Sequence, residues 1–178
     1  MVNIVPLGSG EGLVSAAING DETAFDALVG PLIEPGFKLA AVMLRDREEA
    51  RDAVQEACVT AWRKLTQLRD ETHIRSWFLT IVANQCRTRR RAKWWSVVRL
   101  PAVHSAEEAS RHDWESQLDL DRQLRTLPDR QRVALFLFFY EDLPLTEVAR
   151  ILNVSPQAAK SLVHRALGKL RVNMEVSQ

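Results

Sequence analysis

Residues 87–95, with the sequence RTRRRAKWW, concentrate positive charge in a chain that is nearly neutral, with 24 Lys and Arg against 23 Asp and Glu. Clustered cations can neutralise the phosphates of a nucleic-acid backbone, and adjacent aromatic rings can stack on unpaired bases. We favour nucleic-acid binding over a solvated surface for the arginines, because residues 87–99 contain no acidic residue. For Trp94 and Trp95 we favour packing at the end of a helix over stacking on bases.

A second basic stretch lies near the C-terminus, where the pattern is typical of a helix-turn-helix. A short apolar helix over residues 146–152 is followed by the turn Asn153-Val154, and Ser155 and Pro156 suit the N-cap and first position of a second helix. Such a helix enters the major groove of DNA. Its polar face is predicted to present Gln157, Lys160, Ser161, His164 and Arg165. An αα-hairpin with a solvated cationic face is the alternative.

A third candidate surface is the polar face of a helix predicted over residues 48–65. Apolar residues recur from Ala50 to Leu65 at helical spacing and predict one buried stripe, which includes Trp62. The opposite face carries Asp52, Gln55 and Glu56. The local chemistry of these three residues predicts only that they are exposed to solvent, and it does not by itself indicate a binding site.

Enzyme chemistry has little support in the sequence, so we predict neither an enzyme nor a cofactor. The stretch GSGEG lacks the strand and the Lys-Ser/Thr pair of a phosphate-binding loop, and the four histidines have no metal-ligand spacing. Cys58 and Cys86 fall within helical patterns and are expected to act as small buried hydrophobes.

The elements that carry these residues predict an all-α protein of two small helical domains joined by a flexible linker. We assign residues 11–95 to the first domain, 96–114 to the linker and 115–175 to the second domain. Residues 105–121 hold six acidic residues and one basic residue, so an acidic stretch separates the two basic ones. With no apolar run of about 18 residues and no signal-peptide pattern, the chain is expected to be cytoplasmic, without membrane insertion.

Within the first domain, Asp21 is predicted to cap a helix that Pro31, Pro35 and Gly36 interrupt. A further helix is expected from Phe37, a loop over residues 66–73, and a long helix over residues 76–93. In the second domain, residues 133–140 (VALFLFFY) are apolar on all sides and are predicted to form the centre of a small core.

Three blocks of sequence, taken together, resemble a known family. They are residues 47–65 (REEARDAVQEACVTAWRKL), 74–91 (IRSWFLTIVANQCRTRRR) and 127–171, which begins LPDRQRVALF. Their order and spacing resemble region 2 and region 4 of the extracytoplasmic-function (group 4) sigma factors of the bacterial sigma-70 family. The resemblance implies a protein that binds core RNA polymerase and directs promoter-specific initiation at −10 and −35 elements.

The resemblance also implies roles for the residues above. Asp52, Gln55 and Glu56 would dock on the clamp helices of the largest polymerase subunit, and the flap of the second subunit would be a further contact. Asn84, Arg87, Thr88, Arg90 and Arg91 would bind the −10 element, whose flipped base would enter the 66–73 loop. Gln157, Lys160, Ser161, His164 and Arg165 would bind the −35 element. The acidic linker would run through polymerase channels, and an anti-sigma factor would cover both domains.

Three departures from the family pattern concern promoter choice rather than family, and one of them is an arginine run that is denser than typical. Many relatives have Asp at the position of Thr88, and Trp77-Phe78 stands where Trp-Leu is usual. The alternative functions are a helix-turn-helix regulator that acts alone and a helical interaction protein without DNA contact. A regulator would bind its operator unaided, whereas a sigma factor alone binds duplex promoter DNA poorly.

Overall fold

A computed structural model describes residues 10–68, 71–99, 124 and 126–176, and these residues form helices and turns without a strand. The α-helices are α1 (Gly10–Ile18), α2 (Glu22–Leu44), α3 (Arg47–Lys64), α4 (Ile74–Arg99), α5 (Asp129–Leu135), α6 (Leu145–Leu152) and α7 (Pro156–Val176). Two 3-10 turns, Leu65–Gln67 and Glu71–His73, overlap the predicted 66–73 loop, and a π-helical turn, Phe136–Tyr140, follows α5. The all-α prediction is confirmed.

Helix α2 begins as the sequence predicts but does not break where the sequence predicts. Asp21 accepts hydrogen bonds from the backbone N–H groups of Thr23 (2.9 Å) and Ala24 (3.1 Å). The helix then continues through Pro31 and Pro35 to Leu44, so the predicted interruption is wrong. A proline inside a helix costs about 3 kcal/mol. Burial of a stripe of α2 against α3 and α4 offsets this cost, and the stripe comprises Val29, Leu32, Gly36, Leu39, Ala40 and Met43.

Because α2 is continuous, its length and composition meet the criteria for a helix that could cross a bilayer. The prediction that no segment reaches this length missed α2, because Pro31 and Pro35 divide it in the sequence. A core helix meets the same two criteria, and Leu39 and Ala40 of α2 are fully buried against protein. We therefore interpret α2 as the central helix of the first unit.

Gly36 permits the close approach of α2 to α4. A Cβ atom at this position would lie 3.0 Å from Cε1 of Phe78 and 3.3 Å from Cγ2 of Val82, and both side chains are fully buried. A phenyl ring held on all sides cannot yield easily, so the glycine is required by packing rather than by its backbone angles.

We therefore expect Gly36→Ala to lower the free energy of unfolding by about 1 kcal/mol, since overpacking by roughly 2 kcal/mol exceeds the helix-propensity gain of about 1 kcal/mol. Gly168→Ala is the matched control, because a Cβ atom there meets nothing within 4 Å. The control should be more stable than the parent chain. Urea denaturation measures both, and a stabilised Gly36→Ala variant would contradict the packing argument.

Helix α3 packs through small residues. Asp46 caps it by accepting a hydrogen bond from the Glu49 N–H at 3.0 Å. Its buried face is mainly alanine, at Ala50, Ala53, Ala57 and Ala61. Trp62 is 38% exposed and not buried as predicted, because it lies seven residues from the exposed Gln55, on the same side of the helix. Its ring instead meets Phe25 edge-on, with centroids 5.0 Å apart.

The two cysteines differ in burial. Cys86 is fully buried in α4, as the sequence predicts, and this burial raises the pKa of its thiol to about 12. Cys58 is half-buried on α3, where burial also raises its pKa.

At pH 8 we expect Cys86 to be inert to a disulfide reagent such as 5,5′-dithiobis(2-nitrobenzoate), because only roughly 1 in 10⁴ of its thiols would be ionised. Cys58 should account for all of the slow reaction of the folded protein, and Cys58→Ser should remove it. Guanidinium should then release one further reactive thiol. A rapid reaction of folded Cys58→Ser protein would show that Cys86 is accessible.

The second unit is built from α5, the π-helical turn, α6 and α7. Leu135 and Leu137 are buried, but Phe139 is 59% exposed and Tyr140 is 56% exposed, so residues 133–140 are not core on all sides as predicted. The wide turn closes with a hydrogen bond from the Glu141 N–H to the Phe136 carbonyl at 3.1 Å, and its extra residue rotates the last two rings outwards.

The two units pack against each other, with α4 on α6 and α2 on α5. Their buried apolar residues form one continuous core that extends from Val29 to Leu170. Helix α4 extends to Arg99, beyond the predicted end of the first domain at residue 95. The predicted linker beyond Arg99 and the first part of the second domain lie outside the described residues, and the domain boundaries stay predictions.

Candidate nucleic-acid interface

The structure divides the five arginine, asparagine and threonine residues predicted on α4 into two groups. Asn84, Thr88 and Arg91 lie along one line of the helix at spacings of four and seven, and all three are exposed. The Thr88 hydroxyl donates to the Asn84 carbonyl at 3.1 Å. Arg87 Nη1 donates to Oδ1 of Asn84 at 2.6 Å, which leaves the amide N–H₂ of Asn84 to donate outwards.

Arg87 and Arg90 instead contact the second unit. Nη2 of Arg87 donates to the carbonyl oxygen of Ile151 on α6, and Nη2 of Arg90 lies 2.6 Å from Oδ2 of Asp129 on α5. Burial lowers the pKa of the Arg87 guanidinium, which stays a cation at neutral pH. The structure thus does not place all five residues on one free surface.

Asp129 is a residue that the sequence reasoning missed. Partial burial raises the pKa of its carboxyl group, but hydrogen bonds from Arg132 and Arg90 outweigh burial and hold the pKa below its ordinary value. The group is therefore ionised at neutral pH. In the sequence, Asp129 is only an acidic residue in the first turn of a helix. Nothing in its neighbourhood predicts the contacts with arginines, because these form only when α4 packs near α5.

The helix-turn-helix geometry is present in α6 and α7. Asn153 adopts the left-handed conformation (φ 53°, ψ 55°) that ends α6, and the Ser155 hydroxyl accepts a hydrogen bond from the Ala158 N–H at 3.2 Å. Gln157, Lys160, His164 and Arg165 are exposed on α7 as predicted, and Leu167 on the same helix is 41% exposed.

Ser161 is half-buried, and its hydroxyl group already uses its one hydrogen-bond donor within the helix. Its hydroxyl donates to the Gln157 carbonyl at 2.9 Å, while Nε of Arg165 donates to the Ser161 carbonyl at 3.1 Å. The serine oxygen can still accept a hydrogen bond. Arg165 retains the two terminal nitrogens of its guanidinium for a forked contact.

The acidic strip lies on the outer face of α3, where Asp52, Gln55 and Glu56 are all exposed. Asp52 is 3.3 Å from Nη1 of Arg89 on α4, a surface pair with small energetic consequences. Val59, which is 42% exposed, and Trp62 continue the same face by one and two turns. The helical spacing from Gln55 could have identified them, but the sequence pattern places Trp62 in the buried stripe and gives no assignment for Val59.

Comparison with known proteins decides between the candidate functions. Residues 34–96 match the family model for sigma-70 region 2, and residues 117–170 match that for sigma-70 region 4. The chain is 31% identical over 159 residues to the ECF RNA polymerase sigma factor SigM of Mycobacterium tuberculosis, covering 89% of this chain and 81% of the relative. The chain belongs to the extracytoplasmic-function sigma factors. It is thus a subunit that gives RNA polymerase its promoter specificity.

Further similarities agree with this family. The sigma factor SigV of Bacillus subtilis is 28% identical over 140 residues, covering 78% of this sigma factor and 83% of the relative. In fold, the sigma factor resembles RpoE of Bartonella quintana, solved with the anti-sigma factor NepR (TM-score 0.70, 22% identity, 86% and 98% of the two chains). It also resembles CnrH, solved with the cytosolic domain of CnrY (TM-score 0.67, 22% identity, 95% and 99%).

The three surfaces fall within the two matched regions. The α3 strip and the exposed line of α4 lie in region 2 of this sigma factor, and the basic face of α7 lies in region 4. Among the described residues, no group of three or more His, Cys, Asp or Glu side chains is arranged to hold a metal ion. The surfaces are suited to binding macromolecules through hydrogen bonds and charge.

Proposed function

We propose that this sigma factor docks on the clamp helices of core polymerase through Asp52, Gln55 and Glu56, and reads the −10 and −35 elements through α4 and α7. The observation that carries the proposal is the exposed line of Asn84, Thr88 and Arg91 on α4. An amide, a hydroxyl and a guanidinium in one row can bind base edges and phosphates together.

The −10 element must be opened before its bases can be read on single strands. Taking a base out of the stack costs a few kcal/mol, which contacts on the protein have to offset. The loop over residues 66–73, beside the start of α4, supplies a site for the flipped base, and Arg87, Arg90 and Arg91 supply phosphate contacts. These assignments follow the family resemblance, and the exposure of Arg91 on α4 supports its part in them.

For the −35 element we propose readout in the major groove by α7. Lys160 and Arg165 are suited to phosphates and guanine, while Gln157, Ser161 and His164 can exchange hydrogen bonds with base edges. The flap of the second polymerase subunit would hold this unit at the correct distance from the first. An anti-sigma factor is the proposed inhibitory partner, as RpoE of Bartonella quintana was solved with the anti-sigma factor NepR.

We further propose that the protein works in the cytoplasm without inserting into a membrane, and that it is not an enzyme and takes no cofactor. Initiation then depends on the catalytic activity of polymerase. The chain contributes only binding and positioning.

In vitro transcription tests the proposal. Purified chain and bacterial core polymerase are incubated with a promoter library, and RNA 5′ ends are mapped. We expect discrete start sites that share two upstream motifs. A core enzyme that responds to its housekeeping sigma factor on the same templates but not to this chain would overturn the proposal, as would binding of this chain alone to a duplex operator.

A further inference from the structure

A small second apolar cluster joins helix α1 to the two 3-10 turns. Its buried members are Ala17 on α1, Ala24 on α2 and Leu65 in the first 3-10 turn, and Leu65 is only 1% exposed. Helix α1 contacts both turns, Leu65–Gln67 and Glu71–His73. It therefore lies against the loop to which the proposed function assigns the flipped −10 base.

Larger, partly buried side chains complete this cluster from several segments. Leu13 of α1, Leu68 directly after the first 3-10 turn and Trp77 near the start of α4 all pack against it. Trp77 also packs against the main core of the protein. The cluster thus connects α1 and the loop to the helix that carries the −10 contacts.

Hydrogen bonds fix the two ends of this arrangement. The hydroxyl of Ser76, a buried residue of α4, donates to the His73 carbonyl at 3.1 Å and holds the second 3-10 turn. At the end of α1, the Asp21 N–H donates to the Ala16 carbonyl at 3.1 Å, and Gly20 supplies the positive φ (94°) of the turn into α2. Helix α1 and the second turn are therefore each fixed to a long helix of the first unit.

We infer that α1 positions the −10 loop, and that Leu13 and Ala17 act through Leu65 to set how strictly the flipped base is discriminated. This inference rests on the proposed function, which assigns that base to the 66–73 loop. Discrimination needs the contacting groups held within about 0.5 Å, and loops hold them less precisely than helices do. Helix α1 supplies this support from outside residues 34–96, the range that matches sigma-70 region 2.

The test removes apolar contact from α1 without changing the loop or a residue assigned to DNA. Leu13→Ala is compared with the matched control Leu44→Ala, because both leucines are partly buried. Leu44 packs against the main core at the far end of α2, about 30 Å along the helix from Ala24. Leu13→Met keeps the volume of the side chain, so it should behave like the parent chain.

Each −10 base of a promoter found by start-site mapping is replaced in turn by the other three, and the initial rate of transcription by core polymerase is measured. A wrong base typically weakens specific binding by roughly 5- to 150-fold, and for Leu13→Ala we expect this factor to fall about fivefold at one −10 position only. Asn84→Ala should relax discrimination at a different position, since Asn84 is exposed on α4. A merely destabilising change would lower all rates by the same factor.

Circular dichroism and the urea midpoint establish that the variants are folded under the assay conditions, and Leu13→Val, a smaller truncation, replaces Leu13→Ala if that variant is not. Unchanged discrimination in the folded variant overturns the inference, as does an equal loss at every position or the same relaxation by Leu44→Ala. In these cases the parent chain still discriminates, so the proposed function stands. A parent chain that starts transcription without discriminating between −10 bases would contradict the proposed function, and the inference with it.

Discussion

Recruitment to core polymerase is expected to fall by at least about 100-fold when Asp52 and Glu56 are both replaced by lysine. The two carboxylates are exposed one helical turn apart on α3 and are proposed to meet cationic groups of the clamp helices. Reversing a charge removes an attraction and adds a repulsion. Losses of about 2–5 kcal/mol are typical at interfacial charge pairs, and every 1.4 kcal/mol corresponds to a factor of ten.

A pull-down with immobilised core polymerase, titrated over a range of salt concentrations, measures this loss. Glu48→Lys is the matched control, because Glu48 lies on the same helix with its side chain 79% exposed and pairs only with Arg51 among the ion pairs described. Folding should be intact in both, since the Asp52–Arg89 pair is on the surface and contributes less than about 1 kcal/mol. Equal binding by the double variant and its control would refute the α3 assignment.

Promoter opening is expected to fall by about 100-fold in the double variant Asn84→Ala, Arg91→Ala, with binding to core polymerase unchanged. Loss of a specific base contact costs about 1–3 kcal/mol, and loss of a phosphate contact adds to this cost. Both side chains are exposed, so their truncation should leave the fold intact. The effect should therefore appear in the opening step and not in stability or recruitment.

Permanganate reactivity of thymines in the −10 region measures opening on a promoter found by start-site mapping. A template with a pre-melted −10 region supplies the decisive control, because it removes the energetic cost of separating the strands. Transcription by the double variant should recover substantially on this template. Loss of activity that is the same on melted and duplex templates would place the defect elsewhere than in opening.

Much of the local structure could be predicted from the sequence. Asp21 and Ser155 carry side-chain oxygens suited to N-caps, and both cap their helices as expected. Asn153 lies at the end of α6 with the left-handed backbone that the turn needs. Caps and turns depend on groups a few residues apart, and such interactions are encoded within the segment itself.

The sequence predictions are wrong where contacts between distant segments determine the course of a helix or the burial of a side chain. Local chemistry predicts a break at Pro31, but burial of α2 on two other helices offsets the cost. Trp62 is apolar and was assigned to the buried stripe of α3, yet it lies seven residues from the exposed Gln55 on the same side of the helix and is 38% exposed. Burial is a property of the assembled core, so a single periodic segment does not determine it.

The sequence by itself determined the helical class, the helix-turn-helix and the three polar surfaces, because spacing, capping and charge are written in neighbouring residues. Only the tertiary structure decided which of the predicted α4 residues are free. Arg87 and Arg90 carry the same charge as Arg91, but they meet Ile151 and Asp129, which are 64 and 39 residues further along the chain. Such long-range pairing has no local signature, since it depends on how the two units close upon each other.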